Sequence, residues 1–96
     1  MNATVKTFKQ KQDQQVQLIK PILERWNKIQ EEKDWVVEKN VGIGVTIYDN
    51  NHQKDITGCL SMHGSMLHEI GQLADVMQWT WAVYADELDG VYINLS

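Results

Sequence analysis

Residues 65–86, SMLHEIGQLADVMQWTWAVYAD, decide how this 96-residue chain is read. At about 100° per residue, Met66, Leu67, Ile70, Leu73, Ala74, Met77, Trp81 and Tyr84 align as one broad apolar stripe, the pattern of a single long helix. On that helix Trp79 points away from the middle of the stripe. Val76 and Val83 lie beside it, and Gln72, Asp75 and Asp86 surround the three. One apolar side is core. A second apolar patch, centred on a tryptophan, predicts an interface on the outward side of the helix.

Upstream of this stretch, Gly64 and Ser65 end a strand and cap the helix, with Ser65 as N-cap and Glu69 in the first turn. Before them the pattern changes to period two. In VGIGVTIYD (41–49), Ile43, Val45 and Ile47 alternate with Gly42, Gly44, Thr46 and Tyr48. After the turn-forming DNNHQKD, Ile56, Gly58, Leu60 and Met62 alternate with Thr57, Cys59, Ser61 and His63. The two runs predict a hairpin over about 41–63. Residues 34–40, DWVVEKN, fit either a strand or an extension of the preceding helix.

The first segment, about 4–33, is helical in pattern: Val5, Phe8, Val16, Ile19, Ile22, Leu23, Trp26 and Ile29 recur at three- and four-residue spacings. The Gln-rich stretch 10–17 between them favours helix and adds little to a core. Pro21, the only proline, falls opposite the stripe, where it bends one helix or begins a second. At the other end Asp89-Gly90 forms a turn before a final strand, VYINLS (91–96). The expected fold class is α+β, a small single domain over 1–96 in the order α-β-β-α-β. Its antiparallel sheet carries two helices packed on one face.

Composition narrows the function. An apolar fraction of 43% and a charged fraction of 23% are those of an ordinary globular domain. There is no apolar run of the roughly 20 residues needed to span a bilayer, and the N-terminal residues lack a secretory pattern. The single cysteine, Cys59, suits a reducing compartment, so the expected location is cytoplasmic. The net charge of −4 is unevenly spread: residues 1–40 carry eight basic residues and six acids, residues 41–96 one basic residue and seven acids. Such a chain is poorly suited to direct nucleic-acid binding and well suited to a basic partner protein.

Motifs for chemistry are weak. Cys59, His63 and His68 lack the CxxC or HExxH spacing of a metal site. GCLSMHG (58–64) is not a nucleophile elbow, and GIG (42–44) precedes a strand rather than a helix N-terminus. Neither an enzyme nor a metal or other cofactor is expected. The acids Asp86, Glu87 and Asp89, placed at the C-terminal end of the long helix, work against its dipole and so suggest a use in meeting Lys or Arg elsewhere.

Small, acidic, cysteine-poor α+β chains resemble mobile-element-encoded inhibitors of anti-defence type and toxin-immunity proteins, which neutralise a larger host or toxin protein by binding it. The resemblance is one of type and carries no residues. The resulting expectation is a non-enzymatic binding protein that occludes a basic surface of a larger protein or nucleoprotein. Its partner-binding residues would be Trp79, Val76, Val83, Gln72, Asp75, Asp86, Glu87 and Asp89. A homodimer through the long helix is a further expectation. The alternatives are a homo-oligomer sequestering a small ligand between subunits, or a small enzyme with a site near His63 and His68.

Overall fold

The structure is a computed structural model, and it describes residues 8–51, 64–86 and 90–96. The expected second hairpin strand (56–63), with Cys59 and His63, lies outside the described residues, as do Glu87 and Asp89.

Within them the elements are α1 (Phe8–Ile29), β1 (Trp35–Lys39), β2 (Val45–Asp49), α2 (Gly64–Met77), β3 (Trp81–Asp86) and β4 (Gly90–Leu95). The class is α+β as expected, and the predicted order α-β-β-α-β is followed by one more strand. The sheet is antiparallel throughout, in the order β1-β2-β4-β3. It consists of two local hairpins joined through their inner strands.

Strand alternation separates the two sheet faces. Trp35, Val45, Ile47, Val91, Ile93 and Leu95 lie on one face and are buried in a single cluster with Ile19 and Leu23 of α1 and Met66, Ile70 and Ala74 of α2. Both helices therefore pack on that face. Within residues 34–40 the strand reading holds, as β1 over Trp35–Lys39, because the backbone of Trp35 is held from both sides. Asn27 accepts from Trp35 N–H through Oδ1 (2.7 Å) and donates to its carbonyl through Nδ2 (3.0 Å). The end of α1 thus fixes the start of β1.

Helix α1 is one helix with Pro21 exposed inside it, so the proline does not divide it. Its buried positions are Gln12, Gln15, Ile19 and Leu23, while Phe8 and Ile29 of the predicted stripe are exposed. The Gln-rich stretch thus supplies core positions that the sequence reading withheld from it. Gln12 donates to the carbonyls of Asn40 (2.9 Å) and Gly44 (2.8 Å), pinning the β1–β2 turn to the helix. The carboxamide of Gln15 is buried without a hydrogen-bond partner among the described residues, a cost of about 1–3 kcal/mol.

The predicted strand over 41–49 begins only at Val45. Gly42 and Gly44 have φ of 101° and 80°, values that turn the chain instead of extending it. At Gly44 a Cβ would stand 2.1 Å from the carbonyl oxygen of Leu95, so the glycine lets β4 close against the turn. Ile43 leaves the core face and is half exposed.

The largest departure concerns residues 65–86. The helix stops at Met77, and residues 81–86 form a strand. Gln78 takes a left-handed conformation, φ 60°. Its N–H bonds to the carbonyl of Asp75 (3.2 Å), and Trp79 N–H bonds to that of Ala74 (2.8 Å), the paired bonds of a Schellman C-cap. The two core residues Trp79 and Ala74 supply the apolar contact that accompanies this cap. Beyond it, Trp, Thr, Val and Tyr favour strand over helix. Gln78 pays the steric cost of a side chain in this region, so Gln78→Gly is expected to stabilise the fold by about 1 kcal/mol. An unchanged or lowered denaturation midpoint in that variant argues against the cap.

Candidate interaction surface

Trp79 is 5% exposed and belongs to the core, which corrects its assignment as an outward anchor. The reason is the cap: once the helix ends at Met77, residue 79 no longer occupies a helical position. Val83 moves with it, onto β3, and Asp86, which ends that strand, loses its relation to a helix dipole. What survives of the predicted patch is Gln72, Asp75 and Val76, which share an exposed face of α2. The expected packing of the helix is corrected as well. Its fully buried side chains are Met66, Ile70 and Ala74, Leu73 and Met77 are half-buried against the core, and Trp81 is exposed. The ring of Trp81 lies over Gly71, where a Cβ would approach its Cζ2 to 2.6 Å. Gly71 thereby brings α2 close to β3.

The most distinctive surface is the sheet face turned away from the helices. The registers pair Val36 with Tyr48, Tyr48 with Tyr92 and Tyr92 with Tyr84, so one apolar and three tyrosine side chains form a row across all four strands. Tyr84 and Tyr92 stack with ring centroids 5.0 Å apart and planes at 19°. Tyr84 is exposed, and Tyr48 and Tyr92 are half-buried. The neighbouring row is Glu38, Thr46, Asn94 and Ala82. There the Thr46 hydroxyl lies 2.6 Å from Asn40 Oδ1 and 2.7 Å from Asn94 Oδ1, and its one proton goes to one of the two at a time. Glu38 accepts a hydrogen bond from the Tyr48 hydroxyl, and this bond holds the phenol above its ordinary pKa.

Clefts lie elsewhere on the molecule as well. One, of about 620 Å³, runs between the N-terminal half of α1 and the end of α2, where Lys11, Asp13 and Gln14 face Met77 and Trp79. Another, of about 330 Å³, lies between α1 and β1 beside Asn27 and Trp35. Among the described residues no three His, Cys, Asp or Glu side chains converge in a way that holds a metal ion. His68 is exposed on α2. No described helix is long and apolar enough to cross a membrane.

The tyrosine row was missed from sequence because it has no sequence spacing. Positions 48, 84 and 92 meet only through the strand registers. Compared with family models, curated proteins and solved structures, the chain matches none.

Proposed function

We propose that this protein is a non-enzymatic binding protein of the cytoplasm that occludes a basic surface of a larger protein or nucleoprotein target. The action is stoichiometric, in the manner of a mobile-element-encoded inhibitor of anti-defence type or a toxin-immunity protein. The observation that carries the reading is the row of Tyr48, Tyr92 and Tyr84 on the helix-free sheet face. Tyrosines on a rigid sheet offer large contact area at low conformational cost, with a hydroxyl to pair at the rim, and they are enriched among the residues that dominate binding. The excess of acids over residues 41–96 favours encounter with a positive surface, and Glu38 places one carboxylate beside Tyr48. The exposed Gln72, Asp75 and Val76 face of α2 offers a second set of contacts.

The test is capture of the partner from the native host with the wild-type chain and with Tyr92→Ala and Tyr48→Ala variants. Folding of each variant is verified first. Each substitution is expected to weaken the complex by about 2 kcal/mol, and association should slow as salt is raised. Undiminished binding by both folded variants refutes the tyrosine face as the docking site.

A further inference from the structure

The two edges of the sheet are built differently. At β1 the strand carries Glu38 and Lys39, Lys39 is ion-paired with Asp13, and Asn27 clasps the backbone of Trp35. Charges and covered ends are the usual means by which an edge strand refuses further pairing. At β3 none of these devices is present among the described residues: between 81 and 85 the sequence is Trp-Ala-Val-Tyr-Ala, with no charge, no proline and no interruption of register. Trp81, Val83 and Tyr84 are exposed by 39%, 38% and 45%.

The main-chain groups of this edge that no described strand pairs can be assigned. Thr80 and Ser96 exchange both main-chain bonds, at 3.2 and 2.9 Å. In an antiparallel ladder the bonding direction alternates, so residues 82 and 84 face β4 while 81, 83 and 85 present N–H and C=O outward. An antiparallel strand centred on Val83 would meet all three outward positions.

We infer that β3 pairs antiparallel with β3 of a second copy of this chain, across a two-fold axis at Val83, to give a continuous eight-stranded sheet with all helices on one side. This goes beyond the proposed function and does not depend on it. The sequence of the strand is self-complementary about that axis. Trp81 falls opposite the alanine at position 85 of the second copy, Val83 opposite Val83, and Tyr84 opposite Ala82. Each large aromatic residue meets an alanine, on either face of the sheet. A shift of two residues would set Tyr84 against Tyr84 and lose this fit. The pairing forms about six main-chain hydrogen bonds. It also opposes position 86, an aspartate, to Thr80, so no like charges meet across the strands. Two tyrosine rows become parts of one surface.

The experiment is analytical ultracentrifugation of the full chain and of Val83→Lys and Val83→Glu, alone and mixed in equal amounts. The wild type is expected to sediment as a dimer that dissociates on dilution. Each variant alone places like charges face to face on the axis, and its dissociation constant should rise about tenfold or more. The mixture should recover dimer, because Lys and Glu then meet. Recovery requires that residue 83 face its own counterpart, and circular dichroism of each variant shows that its fold is retained. A wild type that stays monomeric at the highest concentration tested, or a mixture that behaves as its separate components do, overturns the inference. The readout involves no foreign partner, so it stands or falls apart from the tyrosine-face test.

Discussion

Trp79→Ala is expected to leave most of the protein unfolded under mild denaturing conditions. The indole is buried in the cluster that joins both helices to the sheet, and it follows directly on the cap that ends α2. Truncating a buried tryptophan costs about 3–5 kcal/mol, because the space it leaves is filled only in part. Small domains are stable by about 5–15 kcal/mol in total, so the loss is a large fraction. Urea denaturation followed by circular dichroism checks this, with Val76→Ala as the reference. Val76 is exposed on α2, and its truncation should change stability by less than about 0.5 kcal/mol. If Trp79→Ala leaves the midpoint in place, the residue is on the surface and the helix continues past Met77.

A loss of about 3–5 kcal/mol is likewise expected for Lys33→Met. Lys33 and Asp49 are an ion pair with side chains 4% and 7% exposed, Nζ 3.8 Å from Oδ2. Asp49 is held in place by the N–H groups of Asp34 (2.8 Å) and Asn51 (3.1 Å), both donating to Oδ1. The carboxylate therefore stays buried when the ammonium is removed, and the loss of the buried cation beside it is what destabilises. The double variant Lys33→Met/Asp49→Asn tests this cause. It should be more stable than the sum of the single effects implies, since removing both charges relieves the mismatch. Strict additivity would show that the two charges do not interact.

The sequence was readable where one period governed a whole element. The three- and four-residue spacing around Ile19 and Leu23 locates α1, and alternation about Val45 and Ile47 and about Val91 and Ile93 locates the inner strands. It misled over residues 78–86, where two periods coincide. Trp81 and Tyr84 lie four and seven positions after Met77, so they continue a helical stripe on paper. Gln78 ends the helix through a backbone conformation that glutamine seldom adopts, and its side chain gives no warning of it. The run of Trp, Thr, Val and Tyr at 79–84 was the available signal. The buried Gln12 and Gln15 were not legible for a related reason: hydropathy patterns assign polar residues to the surface, while Gln12 is buried because two turn carbonyls need a donor. In the expected interface, Gln72, Asp75 and Val76 were placed correctly on one exposed face because all three fall before the cap.

The joining of two hairpins through their inner strands has a kinetic consequence. The β1–β2 ladder pairs residues 6 to 14 apart along the chain (Lys39 with Val45, Trp35 with Asp49), and β3–β4 pairs residues 4 to 14 apart. The β2–β4 ladder spans 44 to 50 residues (Tyr48 with Tyr92, Val45 with Leu95). Hairpins form in about 1–10 μs, whereas the central ladder must close a loop that contains α2. Folding is therefore timed by the encounter of two halves and not by either hairpin. Until they meet, β2 in one half and β4 in the other each present a bare apolar edge. Those edges are the correct partners of one another and also the ones most open to the wrong chain. Crowded synthesis, in which many half-folded copies coexist, is the condition under which residues 45–48 and 92–95 decide between a finished sheet and an aggregate.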